Sequence, residues 1–324
     1  MKTLIRRILF ATDFSPSSAR IFNIALTWAN TLDAKLDIVH VIGILPPVYL
    51  TSFSANNYIK AQEKNAQSKL ETLVIQAKER VSEVQSHLLI GIPTDEITGF
   101  ALSSQVDLII MGTHGWTGFD RVMMRSVAER VICKAPCPVL SIRNMEHEKT
   151  TSTGQPQTGT PYSAPRHILL PIDFSDCSLD AYEYAFNFEK SFDVSVTLLH
   201  VLEPTSYSLD FTLSHPMEDR QHQNKVKARL GELTSAFTKQ GLTANFMIKN
   251  NPVSEAIIEA RSESGADLIV MGTHGRQGLR RLVMGNVAAA VLRQSPVPVL
   301  TVKSSESKYD TEPAYPVNIQ EAHS

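Results

Sequence analysis

The sequence contains one pattern twice, and this duplication constrains the fold more than any other feature. The segment DLIIMGTHG at 107–115 recurs as DLIVMGTHG at 267–275, which defines a constant offset in residue number. Three further pairs share that offset: ILFATDFS at 8–15 with ILLPIDFS at 168–175, His40 and Val41 with His200 and Val201, and APCPVLSIR at 135–143 with SPVPVLTVK at 295–303. Four separated matches in one register indicate two copies of one domain.

The chain length fits this duplication. At 324 residues the chain can bury two hydrophobic cores of ordinary size. We predict domain 1 over residues 1–144 and domain 2 over residues 166–304. Residues 145–165 are rich in Ser, Thr, Gly, Pro and Gln and have no hydrophobic period, so they are predicted to form a flexible linker. Residues 305–324 are predicted to be a polar C-terminal tail.

Within each domain, short apolar runs alternate with longer amphipathic segments, as in β-α-β units that build a parallel sheet. The strands of domain 1 are predicted at 7–12, 36–42, 84–90, 107–112 and 138–143. Their continuous apolar character favours coverage by helices on both faces. Each domain is therefore predicted to be α/β, with a doubly wound, five-stranded parallel sheet. We also expect the last strands of the two domains to pair, because each would otherwise leave an apolar sheet edge exposed.

Composition argues against several kinds of partner. The formal net charge of −2 and the pI near 6.6 provide no global attraction for nucleic acid or anionic lipid. The apolar runs fall far short of a membrane span of about 20 residues, and the N-terminal segment lacks the long apolar region of a signal peptide. We expect a cytoplasmic protein that binds neither nucleic acid nor membrane.

The three cysteines, Cys133, Cys137 and Cys177, are an odd number without zinc-ligand spacing. This pattern argues against both a disulfide framework and a metal site. Cys133 and Cys137 are interpreted as small buried residues, with a redox pair as the alternative.

The residues that suggest a ligand lie where strands end, which is where open parallel sheets bind their ligands. Asp13 and Asp173 follow the first strand of each domain. After its fourth strand, domain 2 has Gly272-x2-Gly275-x9-Gly285. Glycines allow backbone N–H groups to approach an anion, and a helix beginning at Gly285 adds a favourable dipole. The loop charges are all basic, from Arg276, Arg280 and Arg281. The pattern therefore predicts a polyphosphate site.

The aspartate after the first strand, the His-Val pair, the MGTHG segments, the glycine pattern and the closing PVPVL strand together resemble the universal stress protein family. The resemblance covers nearly the whole chain apart from linker and tail. It implies an adenine nucleotide alpha-hydrolase-like, Rossmann-like fold. It also implies a regulatory module of the stress response that binds ATP or ADP. We expect Mg²⁺ to bridge the phosphates, because neither domain supplies an obvious carboxylate cluster that could hold the metal alone. Family members also pair through their last strands, which implies an intramolecular pseudo-dimer here and leaves a homodimer possible.

Carried over by position, the resemblance implies a preferred nucleotide site in domain 2. It assigns Asp173 and Val201 to the adenine and ribose, and the glycines and Asn286 to the phosphates. Asn286 departs from the usual Ser or Thr but can still hydrogen-bond an oxygen. The full set is Asp173, Val201, Met271, Gly272, His274, Gly275, Gly285, Asn286 and Val287.

Domain 1 departs further from the pattern, because Arg125 stands where domain 2 has Gly285. Asp120 also replaces Arg280, which lowers the loop charge from +3 to +1. We expect a weaker or empty site there. The alternative is that Arg125 turns outward or itself clamps a phosphate. The residues of this weaker site are Asp13, Val41, Gly112, Gly115 and Ser126.

Other interpretations remain open at this stage. His114 and His274 could be general bases, but the sequence nominates no nucleophile or orienting carboxylate beside them. We therefore expect no catalytic residue and at most slow ATP hydrolysis, and an adenylate-forming enzyme has little support. His40 and His200 are interpreted as satisfied core histidines. The aspartates could instead cap the following helices, and the whole chain could be a nucleotide-independent interaction scaffold.

Overall fold

A computed structural model describes residues 5–43, 52–113, 121–143, 164–202, 216–250, 252–274 and 284–303. Domain 1 comprises β1 (Arg7–Ala11), α1 (Pro16–Leu32), β2 (Lys35–Gly43), α2 (Ser52–Lys78), β3 (Val84–Gly91), α3 (Pro93–Ser103), β4 (Leu108–Gly112), α4 (Arg121–Lys134) and β5 (Val139–Ile142). Domain 2 comprises β6 (His167–Pro171), α5 (Asp176–Phe192), β7 (Ser195–Val201), α6 (Pro216–Thr238), β8 (Ala244–Lys249), α7 (Val253–Ser264), β9 (Leu268–Gly272), α8 (Asn286–Gln294) and β10 (Val299–Val302). The predicted alternation of strands and helices is confirmed. Residues 145–163 of the predicted linker and the predicted tail lie outside the described residues.

Local sequence explains where the helices begin and end, as α1 shows. Pro16 occupies the first turn, where its missing N–H costs nothing. Ile21, Ala25 and Trp28 are buried along one face of the helix, at helical spacing. Asp33 ends the helix in a left-handed conformation, with φ of 50°, and its amide bonds back to the last turn.

The strands form one continuous sheet in the order β3-β2-β1-β4-β5-β10-β9-β6-β7-β8. Within each domain the neighbouring strands are parallel. Between the domains β5 and β10 are antiparallel, with Leu140 opposite Leu300. The predicted pairing of the last strands is therefore confirmed, and it joins the two domains through backbone hydrogen bonds.

Helices cover both faces of the sheet, as the apolar strands predicted. One hydrophobic core lies under α1, α2, α5 and α6, and the other under α3, α4, α7 and α8. Both cores run across the domain boundary. On the first face, the rings of Trp28 and Phe192 meet at 5.2 Å, one from each domain. Each large side chain buried in this way stabilises the fold by about 1.5–3 kcal/mol.

Candidate functional site

The carboxyl ends of β6, β7 and β9 meet at one edge of domain 2. β6 pairs in parallel with both β7 and β9, so the residues that follow these strands are neighbours. Asp173 follows β6, Val201 ends β7 and Gly272 ends β9. The fold thus brings together three residues that the sequence pattern placed in one site. The matching edge of domain 1 carries Asp13, Val41 and Gly112.

The two aspartates hold the turn between strand and helix. The Oδ1 of Asp13 accepts hydrogen bonds from the Ser15 amide at 3.0 Å and the Ser18 hydroxyl at 2.6 Å. The Oδ1 of Asp173 accepts hydrogen bonds from the Ser175 amide at 2.9 Å and the Ser175 hydroxyl at 2.5 Å. These bonds order the chain entering α1 and α5. The N-cap of α1 is Ser15, with no side-chain cap hydrogen bond, so Asp13 orders the turn without capping the helix. A ligand role for either carboxylate stays a prediction.

The residue after each aspartate has a left-handed backbone. Phe14 has φ of 57° and Phe174 has φ of 63°, a conformation that costs a residue other than glycine about 1–2 kcal/mol. Each ring packs on the histidine of the second strand, with centroids 4.3 Å apart for Phe14 and His40 and 5.0 Å apart for Phe174 and His200. The ring contact stabilises a sharp turn that directs the preceding aspartate.

A basic side chain of the second helix lies over each of these phenylalanine rings. The Nζ of Lys69 is 5.2 Å from the centroid of Phe14, and the Cζ of Arg229 is 4.2 Å from that of Phe174. Such cation–π contacts contribute about 0.5–1 kcal/mol at exposed sites. Sequence reasoning missed this pair, although Lys69 and Arg229 are related by the same offset as the repeated motifs. In domain 1 a cavity of about 240 Å³ lies between Asp13, His40 and Lys69.

The histidines of the second strands bond to the first strands. The Nδ1 of His40 lies 2.8 Å from the carbonyl oxygen of Thr12, and that of His200 lies 2.6 Å from the carbonyl oxygen of Ile172. Because a carbonyl only accepts, Nδ1 carries the proton in both rings. Burial lowers the pKa of His40 below its ordinary 6.5, which favours the neutral ring. The interpretation as satisfied core histidines is confirmed.

Gly272 is required by the packing of α5 against β9. A Cβ added to Gly272 would lie 2.7 Å from the carbonyl oxygen of Cys177 and 2.9 Å from its Cβ. A side chain at this position would therefore displace backbone. This packing is sufficient reason for glycine at position 272, and its expected role towards an anion stays a prediction.

Gly285 is the N-cap of α8, with φ of −60° and ψ of 145°. Any residue adopts these angles, so the backbone conformation alone does not require glycine at this position. Bulk remains an obstacle, because an added Cβ would lie 3.1 Å from the carbonyl oxygen of Thr273. The Gly285 amide donates to that same oxygen at 3.0 Å, which ties the start of α8 to the end of β9.

The first turn of α8 offers its N–H groups to an anion. Among the described residues no side chain caps this helix, and its first turn contains no acidic residue. A helix end of this kind favours negative charge through both its unpaired donors and its dipole. The side chain of Asn286 is exposed and that of Val287 is half-buried.

The side chains of two other predicted site residues, Met271 and His274, make contacts within the protein. Met271 is only 5% exposed and belongs to the core under α7 and α8. A ligand would therefore meet its backbone. The ring of His274 lies with Nδ1 2.9 Å from the hydroxyl of Thr273.

Several predicted residues cannot be placed. Their roles stay predictions. Gly115, Gly275, His114, Asp120, Arg276, Arg280 and Arg281 lie outside the described residues, as do the side chains of Arg125 and Ser126.

Domain 1 contains a buried charged cluster that sequence reasoning missed. Asp37 is fully buried and accepts hydrogen bonds from Arg7 Nε at 2.6 Å and His87 Nε2 at 2.9 Å. The corresponding residues of domain 2 are His167, Thr197 and Met247. A charged residue inside the apolar run LDIVHV was the available signal. The cluster lies towards the start of the strands, at the opposite edge from Asp13, and it has a structural role.

None of the three cysteines, all of which lie in the described ranges, forms a disulfide, and each is partly buried. Burial raises the pKa of Cys137 to about 12 and also raises that of Cys133. The thiol form is therefore strongly favoured at neutral pH, which argues against the redox-pair alternative. Within the described ranges no group of three or more His, Cys, Asp or Glu residues could hold a metal ion. None of the helices described is long and apolar enough to cross a membrane.

Comparison with known proteins agrees with this architecture. A family model described as the universal stress protein family matches residues 4–143 and again residues 165–303. The chain belongs to the universal stress protein family. A universal stress protein of Methanocaldococcus jannaschii is 33% identical over 148 residues, covering 45% of this chain and 87% of that protein. One from Mycobacterium tuberculosis is 25% identical over 295 residues, covering 86% of this chain and 90% of its own length. The tandem arrangement of two universal stress protein domains is therefore shared with that relative.

The fold is also shared with a solved universal stress protein from Archaeoglobus fulgidus. The two structures superpose with a TM-score of 0.65, over 94% of this chain and 98% of the other, at 21% sequence identity. This likeness shows that the paired universal stress protein fold extends over both domains.

Proposed function

We propose that domain 2 binds ATP or ADP at the carboxyl edge of β6, β7 and β9, and that nucleotide occupancy regulates protein partners of this chain during stress. The start of α8 carries this proposal. Gly285 is bonded to the end of β9 and leads into a helix whose first N–H groups lack a side-chain cap among the described residues. An anion of several negative charges fits there, beside Asp173 at the end of the neighbouring strand.

Two pairs of residues would contact different parts of the nucleotide. Gly285 and Asn286 would hold phosphate oxygens through backbone and amide donors at the start of α8. Asp173 and Val201 would meet the ribose and the base, with a carboxylate for sugar hydroxyls and an apolar side chain for the ring. Because the described residues include no cluster of metal ligands, Mg²⁺ would be held chiefly by phosphate oxygens. The Mg²⁺ ion would neutralise the part of the phosphate charge that the helix dipole alone does not balance.

The chemistry around the site suits retention of a nucleotide better than turnover. The His274 ring is hydrogen-bonded to the neighbouring Thr273 hydroxyl, and the carboxylate of Asp173 is engaged with Ser175. Both side chains are therefore held by hydroxyl groups of their own turns. We propose a cytoplasmic regulatory module, with slow hydrolysis as its upper limit of activity, and with domain 1 as the weaker site.

Calorimetric titration with Mg·ATP tests the proposal through two matched glycine substitutions. Gly285→Arg should lower the affinity at least about 10-fold, a loss of 1.4 kcal/mol, because the side chain fills the start of α8. Gly231→Arg in α6 is the control, since an added Cβ there meets nothing within 4 Å. Wild type should bind about one ATP per chain. An unchanged affinity for Gly285→Arg would show that the glycine assignment is wrong.

The asymmetry between the domains has its own test. Arg125→Gly should open a second, weaker site, and adding Asp120→Arg should strengthen it by restoring loop charge. Two equal sites in wild type would show that Arg125 is no obstruction. Mass spectrometry of the gently purified protein should find ATP or ADP.

One observation favours an interaction scaffold as a second candidate. Among the described residues, domain 1 exposes four large apolar side chains, Ile75 at 67%, Ile90 at 41%, Ile92 at 58% and Leu102 at 68%, and domain 2 exposes one, Phe246 at 39%. The residues of domain 2 that correspond to those four are Ser235, Asn250, Pro252 and Ser262. Isolated apolar residues are common on surfaces, but their concentration in one domain suits the docking of a protein partner. A wild-type protein that binds no nucleotide would favour this account.

A further inference from the structure

The outer strands of the sheet are β3 in domain 1 and β8 in domain 2. The amide of Leu36 in β2 donates to the carbonyl oxygen of Glu83 at 2.9 Å, and Leu36 lies opposite Val84. The odd-numbered residues of β3 therefore bond to β2, and the N–H and C=O groups of its even-numbered residues point away from β2. We call this outward side of β3 the open edge. Such a row of backbone donors and acceptors can pair with a further strand.

The open edge lacks the features that usually protect an outer strand. β3 has 8 residues, and its segment VQSHLLIG contains no proline, lysine or carboxylate. The ring of His87 is bonded to the buried Asp37, with Nε2 2.9 Å from Oδ1. In domain 2, β8 has 6 residues, ends in Lys249 and is followed by Pro252. A charge and a proline both hinder pairing with another chain, so the two outer strands differ although the domains share a fold.

Two exposed isoleucines lie at the carboxyl end of the open edge. Ile90 is 41% exposed, and Ile92, which follows β3 with an extended backbone, is 58% exposed. The corresponding residues of domain 2 are Asn250 and Pro252. Residues two apart in an extended chain project to the same side. The isoleucines therefore offer an apolar surface to the side chains of an added strand.

A carboxylate lies beside this apolar surface. The side chain of Glu96 in α3 reaches back to the end of β3, since a Cβ added at Gly91 would lie 2.8 Å from the Cδ of Glu96. The neighbouring Asp95 pairs with Lys134 at 2.7 Å, whereas Glu96 forms no ion pair within the described part of the chain. The negative charge at this end favours a basic residue in a chain that lies along β3.

A second copy of this chain is less complementary to the open edge. Two β3 strands related by a two-fold axis would run antiparallel. Pairing along the whole strand, centred on His87, would place the exposed Ser82 of one copy opposite Ile92 of the other. It would also bring Glu83 of one copy towards Glu96 of the other. An apolar residue would then face a polar one, and two carboxylates would repel each other.

We propose that the open edge of β3 docks an extended segment of a different protein, which adds one strand to the sheet. The docking segment alternates apolar and polar residues and carries a lysine or arginine near Glu96. Backbone hydrogen bonds hold the segment, while Ile90, Ile92 and Glu96 select its side chains. The surface lies at the outer strand of domain 1, away from the nucleotide site proposed in domain 2. This inference does not rest on the nucleotide function.

Two labelled peptides test the choice of partner, with the full-length chain and fluorescence anisotropy as the readout. KRVTVTVTVRK has basic ends, and EEVTVTVTVEE has the same core with acidic ends. The basic peptide should bind at least about 5-fold more tightly, as expected for attraction and repulsion at an exposed carboxylate. Glu96→Gln should reduce this ratio. Glu255→Gln, which makes the same charge change in the first turn of α7, should leave it unchanged.

Ser86→Pro tests the pairing of backbones. Residue 86 has its N–H at the open edge, so proline removes a donor there and leaves the bonds to β2 in place. The basic peptide should bind at least about 5-fold more weakly, the loss expected from one backbone hydrogen bond. Phe246→Pro is the matched control, because residue 246 has the corresponding position in β8. Circular dichroism confirms that each variant folds.

Ile90→Lys decides the matter if Ser86→Pro does not fold. Ile90 is exposed, so the lysine is compatible with the fold, and its charge repels the basic peptide while its apolar contact is lost. Binding should again weaken at least about 5-fold.

Four outcomes would overturn the proposal. The first is wild-type affinity in the folded edge variants, or no binding of either peptide to wild type. The second is equal weakening by Phe246→Pro, since binding would then not be specific to β3. The third is a peptide ratio that Glu96→Gln leaves unchanged or that Glu255→Gln lowers equally. The fourth is a dimer in sedimentation velocity that Ser86→Pro abolishes, which would show that a second copy occupies the edge.

Discussion

Replacing Asp37 with asparagine should destabilise domain 1 far more than the matched change in domain 2. Asp37 is fully buried and accepts hydrogen bonds from Arg7 Nε at 2.6 Å, Arg7 Nη2 at 3.3 Å and His87 Nε2 at 2.9 Å. In domain 2, Thr197 lies at the same place and forms only neutral bonds, to His167 at 2.8 Å and to Asn245 at 2.6 Å. Asp37→Asn and Thr197→Val therefore compare a charged with a neutral cluster.

The structure sets the expected magnitudes. Removing one partner of a buried ion pair costs about 3–5 kcal/mol. The side chains of Arg7 and His87 are each 27% exposed, so water replaces part of the loss, and we expect about 2–3 kcal/mol for Asp37→Asn. The neutral bonds of Thr197 predict about 1 kcal/mol for Thr197→Val.

The pH dependence supplies a second signature. Burial alone would raise the pKa of Asp37, but the hydrogen bonds from His87 and Arg7 lower it below its ordinary 3.8. A carboxyl whose pKa is lowered on folding stabilises the protein above its unfolded pKa and loses that effect as the pH falls through its folded value. The difference between wild type and Asp37→Asn should therefore shrink below about pH 4.

The free energies of unfolding are measured by urea denaturation, with tryptophan fluorescence as the probe. Both tryptophans, Trp28 and Trp116, belong to domain 1. Circular dichroism follows the whole chain, so comparing the midpoints from the two probes tests whether the domains unfold in one transition. A cost for Asp37→Asn no greater than that for Thr197→Val, or a cost that stays constant down to pH 3, would refute the reasoning.

Three further predictions follow from the described contacts. Gly272→Ala should cost about 1–3 kcal/mol in urea denaturation, because its Cβ meets the backbone of Cys177, whereas Gly231→Ala in α6 should stabilise by about 0.5–1 kcal/mol; equal effects would contradict the packing argument. His40 has a pKa lowered by burial, so the unfolded chain takes up its proton first and stability falls as the pH drops below about 6.5. His40→Asn should flatten that slope. Chelation by EDTA should weaken ATP binding in calorimetry, and metal-independent binding of equal strength would show that the loop arginines neutralise the phosphates.

Much of the fold could be predicted because its signals are local or repeated. The constant offset between matching motifs revealed two domains, and apolar runs separated by helical periodicity revealed the order of strands and helices. The strand-end positions of Asp13 and Asp173 follow from that order, since parallel strands end at one edge. The pairing of β5 with β10 could be anticipated from the need to cover apolar edges.

The structural roles of individual residues could be explained only from the tertiary structure. Gly272 belongs to a motif that suggests anion binding. The space that a Cβ at Gly272 would need is filled by Cys177 of α5, a helix that precedes β7 in the chain. The left-handed turns at Phe14 and Phe174 leave no mark in composition, because phenylalanine rarely adopts them without support from a neighbouring ring.

The sequence by itself determined the duplication, the succession of strands and helices along each domain and the positions of the strand ends, because periodicity and repetition act along the chain. Only the tertiary structure decided that Cys177 fills the space beside Gly272, that Asp37 is buried with Arg7 and His87, and that Gly285 has an ordinary backbone conformation. Such contacts arise from packing between distant segments, whose positions depend on every intervening element. A local sequence pattern therefore does not reveal which distant residues come into contact.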